Sequence, residues 1–136
     1  MAEPLTIEVD FDAPEPAYHQ IASQIRRHIA GGGLGPGALL PGVRSLAADL
    51  GVNMNTVARA YRVLEEQGFV RIRDRSGVEV ASPPRRADPG VRATLEQELT
   101  ALVARMRQAG LTSDQVRRMV ARTIDALGAA EKESES

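Results

Sequence analysis

Apolar residues recur at helical spacing in two short segments that flank Gly51-Val52-Asn53. The apolar face of the first segment is Leu46, Ala47 and Leu50, and that of the second is Val57, Ala60, Tyr61 and Leu64. Gly51 suits the positive φ of a tight turn, and Asn53 can cap the second helix by accepting from free backbone N–H groups. The pattern predicts a helix-turn-helix, although any helical hairpin in a core has similar apolar spacing.

The segment 70–80 alternates between apolar and other residues, which is the pattern of a β-hairpin. The apolar face consists of Val70, Ile72, Val78 and Val80. Arg71 and Arg73 lie on the other face, and Asp74-Arg75-Ser76-Gly77 has the composition of a type I turn. A basic ribbon directly after a helix-turn-helix predicts a wing that lies on DNA, and an ordinary surface hairpin is the alternative.

Upstream of these helices, the pattern predicts an extended segment and one longer helix. Residues 5–11 alternate apolar and polar and are expected to form a short strand or extended arm. Residues 17–30 are predicted to form an amphipathic helix with Tyr18, Ile21, Ile25 and Ile29 as its apolar stripe. Residues 34–41 are expected to be a loop whose three leucines, Leu34, Leu39 and Leu40, enter the core.

Two further helices are predicted after a linker at residues 82–88, which Pro83 and Pro84 keep extended. Asp88 and Thr112 are expected to cap helices that end at Gly110 and Gly128. The stripe of the first is Val91, Leu95, Leu99, Leu102 and Met106, and that of the second is Val116, Met119, Val120, Thr123, Ile124 and Leu127. Residues 129–136 are small and charged and are predicted to be disordered.

Two helices in a hairpin cannot bury both stripes without a further partner. Pairing with a second copy closes a four-helix arrangement, and folding back on the N-terminal domain is the alternative. We therefore expect a mostly α chain with a small β wing, in which a winged helix-turn-helix domain (residues 1–81) precedes a dimerisation hairpin (residues 89–128). A small-molecule effector, if one exists, is expected at the dimer interface or between domains, because the hairpin cannot enclose a pocket of ~300–1,000 Å³.

The charge distribution favours nucleic-acid binding by the predicted winged domain, although the net charge of the 136-residue chain is only −1. Residues 1–15 contain five acidic and no basic residues, residues 16–86 contain ten arginines and five acidic residues, and residues 87–136 contain seven basic and eight acidic residues. Positive charge is thus concentrated on the module that would contact phosphates.

Composition argues against several other classes. The chain has no cysteine, which excludes disulfides and thiolate metal sites. His19 and His28 are too far apart on one helix pattern to share a face, so no metal is expected. We find no nucleophile paired with a base and no Gly-rich phosphate loop, so neither an enzyme nor a cofactor is expected. No apolar run approaches the ~18 residues of a membrane span and no signal sequence is evident, so the expected location is the cytoplasm.

Several short motifs together resemble the GntR family of bacterial transcription regulators. They are Pro16-Ala-Tyr18-His-Gln20-Ile21, Gly33-Leu34-Gly35-Pro36-Gly37, Leu40-Pro41, Leu46-Ala47, Leu50-Gly51-Val52, Asn55-Thr56-Val57 and Gly68. The run from Asn55 to Tyr61 and the short C-terminal part resemble the YtrA subfamily. The resemblance covers residues 5–81 and implies a winged helix-turn-helix regulator.

Candidate DNA contacts come from this resemblance and from helical spacing. The resemblance implies contacts by Arg44, by the capping Asn53 and by the polar pair Asn55-Thr56. Helical spacing places Asn55 and Arg59 away from the core side of their helix, where Asn can pair with adenine and Arg with guanine. On the wing, we expect Arg71, Arg73 and Arg75 to neutralise phosphates, with Gly77 at the tip.

The chain departs from the family pattern at four places. Met54 occupies a position where many relatives carry Arg or Pro, Ala58 one where some carry Arg, and Gly42 replaces a usual serine. The wing tip is Arg75-Ser76-Gly77 where relatives carry Gly-x-Gly.

The expected function is sequence-specific regulation of transcription by a dimeric repressor on a palindromic operator, since blocking a promoter requires only occupancy. The alternative is a winged-helix module that binds proteins without specific DNA recognition. The basic outer face argues against this alternative, and a salt titration of DNA binding distinguishes the two.

Overall fold

A computed structural model describes residues 5–73 and 77–135. This part of the chain forms five helices and three strands. They are α1 (Ala17–Ala30), β1 (Leu39–Leu40), α2 (Val43–Leu50), α3 (Met54–Glu66), β2 (Val70–Arg73), β3 (Gly77–Val80), α4 (Pro89–Gln108) and α5 (Ser113–Glu135). The predicted fold class, mostly α-helical with a small β wing, is confirmed.

The described residues group into two compact units. One contains the residues up to Pro83 together with those from Leu127 onwards, and the other is Pro84–Ala126.

The core of the first unit lies between α1 and α3. Its largest fully buried side chains are Tyr61, Ile21, Ile25, Leu64 and Val57. Leu46 and Ala47 of α2 complete this side of the core, as the apolar spacing predicts. The hydroxyl of Tyr61 donates a hydrogen bond of 2.5 Å to the carbonyl oxygen of Pro41, so its polar end is satisfied.

The turn between α2 and α3 has the predicted chemistry. Gly51 adopts the left-handed conformation with φ +69°, which glycine enters without a Cβ clash. Asn53 precedes α3 in an extended conformation, and its side-chain oxygen accepts from the backbone N–H of Asn55 at 2.8 Å. Both predictions for the turn are therefore confirmed, and together they fix where α3 begins.

The wing leaves α3 through a tight helix end. Gly68 has φ +85°, and the N–H of Phe69 donates back to the carbonyl of Leu64 at 2.9 Å, the 6→1 bond of a Schellman motif. β2 starts at the next residue and pairs antiparallel with β3, with Val70 opposite Val80 and Ile72 opposite Val78. The short exit therefore ties the position of the wing to that of α3.

The sheet contains a third strand that the sequence did not predict. β1 pairs antiparallel with β3, giving the order β1-β3-β2. The prediction of a loop over residues 34–41 is wrong for Leu39 and Leu40, because two residues are too few to show an alternating pattern. Leu34 and Leu40 are buried as expected, whereas Leu39 is 72% exposed.

Residues 5–10 form an extended arm without strand pairing. The amide of Gln24 accepts from the N–H of Glu8 at 3.0 Å and donates to its carbonyl at 2.7 Å. Gln20 pairs with both backbone groups of Asp10 in the same way, at 2.8 and 3.0 Å. The two glutamines are four residues apart on a helix, which is a rise of ~6 Å. Glu8 and Asp10 are two residues apart on an extended chain, a rise of ~6.6 Å, so each glutamine lies beside its partner. Of the two alternatives predicted for this segment, the structure has the extended arm and not the strand, because glutamine amides occupy the backbone groups that a neighbouring strand would bind.

In the second unit, the predicted caps are confirmed. The carboxylate of Asp88 accepts from the N–H groups of Gly90 and Val91 at the start of α4. Thr112 and Gln115 form the reciprocal capping box, with bonds of 2.8 and 3.1 Å. None of the helices in residues 5–73 and 77–135 is both long and apolar enough to cross a membrane.

The end of α5 differs from the prediction. The helix continues to Glu135, beyond the end predicted at Gly128. A glycine inside a helix costs only about 1 kcal/mol relative to alanine, and the alanine, glutamate and lysine residues that follow are good helix formers.

Candidate nucleic-acid interface

The outward face of α3 carries the polar side chains that can reach a ligand. Val57, Ala60, Tyr61 and Leu64 of α3 are buried, whereas Asn55, Arg59 and Arg62 are exposed. These three lie three to four residues apart, and therefore on one side of the helix. Sequence reasoning nominated Asn55 and Arg59 but missed Arg62, which the same spacing from Arg59 would have found.

Three further candidate residues lie at the starts of α2 and α3. Asn53 is exposed and caps α3, and Thr56 in its first turn is half-buried. Arg44 is the exposed second residue of α2. Gly42, the residue preceding that helix, contributes no side-chain cap. Arg44 is therefore the basic side chain in the first turn of α2.

Arg59 lies over an aromatic ring of a different helix. Its guanidinium carbon is 3.9 Å from the ring centroid of Tyr18, a cation–π contact between α3 and the first turn of α1. Tyr18 is half-buried, as its place on the apolar stripe predicts. Sequence reasoning assigned it to the core stripe only, because the two residues are far apart in the chain.

The outer face of the wing is basic but not purely so. Arg71 and Arg73 are both exposed, and Arg73 Nη2 lies 2.9 Å from Glu79 Oε1 of the neighbouring strand. Gly77 opens β3 with φ +95°, a conformation that favours glycine. Arg75 lies outside the described residues. Sequence reasoning missed Glu79, which alternation alone places on the same face as Arg71.

A carboxylate of α3 also contacts the wing. Glu65 Oε2 accepts from the backbone N–H of Ile72 at 2.7 Å. β2 is an edge strand in the order β1-β3-β2, so this bond satisfies an N–H that no strand pairs. α3 and the wing are therefore linked by a hydrogen bond as well as by the chain.

Within the described ranges, no three His, Cys, Asp or Glu side chains are grouped so that they could hold a metal ion. His19 Nδ1 lies 3.4 Å from the carboxylate of Glu15, which precedes α1 in the chain.

A capped second helix with a polar outer face, followed by a basic two-stranded wing, defines a winged helix-turn-helix DNA-binding domain. Residues 17–80 match the family described as bacterial regulatory proteins, gntR family. The HTH-type transcriptional regulator Rv1152 of Mycobacterium tuberculosis is 37% identical over 119 residues, which cover 88% of this chain and 94% of that protein. This chain belongs to the GntR family and is a DNA-binding transcription regulator, not an enzyme.

Two proteins named YtrA support a YtrA-like regulator. The structure of YtrA from Sulfolobus acidocaldarius, a GntR-family transcription factor, aligns with 69% of this chain and 97% of its own, with 40% identity and a TM-score of 0.54. The transcriptional repressor YtrA of Bacillus subtilis is 39% identical over 64 residues, 47% of this chain and 49% of that protein.

A solved complex also bears on the DNA-binding domain. The DNA-binding domain of AraR in complex with operator ORX1 aligns with 55% of this chain and 96% of its own, with 29% identity and a TM-score of 0.51. The match of a domain crystallised on its operator supports binding of double-stranded DNA by this fold.

Proposed function

We propose that this GntR-family protein is a cytoplasmic repressor that binds a palindromic operator as a homodimer. The observation that carries the proposal is the exposed face of α3, where Asn55, Arg59 and Arg62 lie opposite the buried core side. Repression is the simplest outcome of such binding, because an occupied promoter is blocked without any activating contact. The repressor function of Bacillus subtilis YtrA supports this direction of regulation.

In this proposal, α3 enters the major groove and reads bases with its first turns. Asn55 is suited to adenine and Arg59 to guanine, because each side chain presents two hydrogen-bonding groups to the matching base edge. Thr56, which is half-buried, donates its hydroxyl to a phosphate. Asn53 orients α3 through its cap. Its exposed side chain lies near the DNA backbone in this arrangement. Arg44 reaches a base at the groove edge or a phosphate.

The wing contributes affinity rather than sequence preference. Arg71 and Arg73 on its outer face, together with Arg75, neutralise phosphates, and Gly77, which has no side chain, lets the polypeptide approach the DNA backbone closely. Each phosphate that is neutralised releases counterions, so these contacts weaken as salt is added. The proposal therefore divides the site into base readers on α3 and phosphate contacts on the wing.

The apolar face of α4 supports dimerisation of residues 89–128. Val91, Leu95, Leu99 and Leu102 are each 49–55% exposed, and α4 has no buried residue. On α5, Ile124 is 62% exposed. An apolar stripe of this length is unfavourable in water and is covered when a second copy packs against it. A two-fold dimer also supplies two α3 helices for half-sites about one helical turn apart or somewhat less.

Binding to operator and scrambled duplexes across a salt series tests DNA recognition. The operator is first located by footprinting the promoter of the protein's own gene. Arg59→Ala should lower operator affinity by roughly 1–3 kcal/mol and blur the preference at one base pair. Arg73→Ala should weaken all sequences alike and reduce the salt slope by about one. If Arg59→Ala weakens both duplexes equally, Arg59 is a phosphate contact and its assignment as a base reader is wrong.

Sedimentation of full-length variants tests the dimer. Leu99→Arg places a charge within the apolar stripe of α4 and should shift the protein to monomers at micromolar concentration. Gln97→Arg adds the same charge on the opposite side of that helix and should leave the dimer intact. A wild-type protein that sediments as a monomer, or a Leu99→Arg variant that stays dimeric, would remove this part of the proposal.

A further inference from the structure

Arg59 differs from the other arginine that lies over an aromatic ring. Arg26 lies 5.6 Å from the Phe69 ring centroid and also donates two hydrogen bonds, of 3.1 and 2.7 Å, to the Gln67 side chain. Its guanidinium is therefore already bound within the protein. Arg59 lies closer to its ring, at 3.9 Å, yet in the described part of the chain its guanidinium makes no hydrogen bond or ion pair. The donors of Arg59 are thus free for a ligand while its plane is held.

The ring beneath Arg59 is itself fixed. Tyr18 is the second residue of α1, directly before the residues that anchor this helix in the core, Ile21 and Ile25. Its other neighbour is His19, whose ring meets it edge-on at 6.4 Å between centroids and lies within 3.4 Å of Glu15. Because a half-buried ring on a packed helix has few alternative positions, it forms a rigid platform.

A guanidinium above such a platform keeps its N–H donors available. The donors of arginine lie in the plane of the group and point outward from its edge, whereas the ring contact uses the face. Stacking therefore leaves the edge able to form the paired hydrogen bonds with guanine O6 and N7. An arginine side chain that makes no contact loses conformational entropy when it binds a base, whereas a stacked one has lost that entropy before DNA binds.

We propose that Tyr18 is a positioning residue for operator recognition, which aims the guanidinium of Arg59 at one base pair by stacking beneath it. This inference rests on the proposed function, in which Arg59 reads a base. Tyr18 acts through Arg59, so its contribution depends on the ring and not on the hydroxyl. It follows that a residue of α1, outside the helix-turn-helix, sets part of the sequence preference.

The test compares the full-length protein with Tyr18→Leu, Tyr18→Phe, Arg59→Ala and the double variant Tyr18→Leu/Arg59→Ala. Each is titrated with the operator duplex and with duplexes changed at the base pair to which Arg59→Ala is sensitive. Tyr18→Leu should lower operator affinity about two- to fivefold, the range of an exposed cation–π contact, and reduce discrimination at that base pair. Tyr18→Phe keeps the ring and should stay within about twofold of wild type. In the Arg59→Ala background, Tyr18→Leu should have no further effect.

Two outcomes would overturn the inference. A loss in Tyr18→Phe as large as that in Tyr18→Leu would assign the effect to the hydroxyl. An undiminished effect of Tyr18→Leu in the Arg59→Ala background would show that Tyr18 does not act through Arg59. If instead Arg59→Ala itself leaves base preference unchanged, it is the assignment of Arg59 as a base reader that fails.

A measurement without DNA keeps the stacking itself testable. Protons of the Arg59 side chain should show an upfield ring-current shift in the NMR spectrum of the free wild type and of Tyr18→Phe, and lose it in Tyr18→Leu. Thermal unfolding of each variant shows whether the fold is retained. Absence of the shift in a folded wild type would contradict the platform.

Discussion

Arg73 and Glu79 form an ion pair on the outer face of the wing, with 2.9 Å between Arg73 Nη2 and Glu79 Oε1. The register places Glu79 opposite Arg71, so Arg73 reaches diagonally across to the neighbouring strand. The side chain of Glu79 is 23% exposed and that of Arg73 is 51% exposed. An acidic residue thus partly neutralises a wing arginine on the face that we propose meets the phosphates.

Removal of this carboxylate should strengthen DNA binding without changing sequence preference. In Glu79→Gln, Arg73 loses its ion pair and its charge is available to a phosphate. The affinity for operator and scrambled duplexes should therefore rise equally. The salt slope should become steeper by at most about one. Fluorescence anisotropy across a salt series measures both quantities.

The matched control is Glu96→Gln, which removes the same charge from an exposed ion pair with Arg92 on α4. It should leave the salt slope unchanged. Equal slopes in wild type and Glu79→Gln would mean that Glu79 does not compete with the phosphates for Arg73.

Features set by neighbouring residues could be predicted from the sequence. The turn at Gly51, the cap at Asn53 and the exposed side of α3 each depend on residue types a few positions apart. The ends of α1 were also predicted, because three glycines follow it.

Features that join distant residues could not be predicted. The contact between Tyr18 and Arg59 and the bond from Glu65 to Ile72 depend on how α1, α3 and the wing pack. Alternation over residues 5–11 could not decide between a strand and an extended arm, because side-chain amides of a helix can bind the backbone groups that a neighbouring strand would bind.

The two glutamines of α1 should contribute unequally to stability. Gln20 is 9% exposed and its amide joins three backbone groups: the N–H and carbonyl of Asp10 and the carbonyl of Glu15. Gln20→Ala leaves these groups without partners in a partly buried place, so the free energy of unfolding should fall by about 1–3 kcal/mol. Gln24→Ala should cost less than about 1 kcal/mol, because water can replace its half-buried amide.

Urea denaturation measures this difference, and hydrogen exchange locates it. The amide of Asp10 should exchange faster in Gln20→Ala, and that of Glu8 faster in Gln24→Ala. Equal losses of stability in the two variants would contradict the role given to burial.

The phenol of Tyr61 should make stability depend on alkaline pH. Burial raises the pKa of Tyr61 above its usual value of about 10. Below pH 10 both the folded and unfolded chains keep this proton, and stability is unaffected. Above it the unfolded chain releases the proton first, so the free energy of unfolding falls as pH rises, by at most about 1.4 kcal/mol per pH unit.

Tyr61→Phe isolates this effect. At pH 8 the variant should be less stable by about 1 kcal/mol, because it loses the hydrogen bond to the carbonyl of Pro41. By pH 11 the difference from wild type should have narrowed by about 1 kcal/mol, because only the wild type carries this phenol. Denaturation curves at both pH values test the prediction, and a difference that stays constant would contradict it.

The hydrogen bond from Ile72 to Glu65 should position the wing, and a comparison of the DNA affinities of two neutral substitutions of Glu65 tests this. Glu65 is an exposed acidic residue of α3. If it acted through charge alone, every neutral substitution would tighten DNA binding to the same extent. If it also holds the wing, the substitutions must differ in their effect on DNA affinity, according to whether they keep an acceptor for the N–H of Ile72.

Glu65→Gln removes the charge but keeps a side-chain oxygen, so affinity for DNA should rise slightly. Glu65→Ala removes both and leaves the edge of β2 without its bond from α3, so affinity should fall below that of Glu65→Gln by about 0.5–1.5 kcal/mol. Glu66→Gln and Glu66→Ala, one residue along the same helix, serve as controls and should bind alike. If Glu65→Ala and Glu65→Gln also bind alike, the hydrogen bond to Ile72 has no part in placing the wing on DNA.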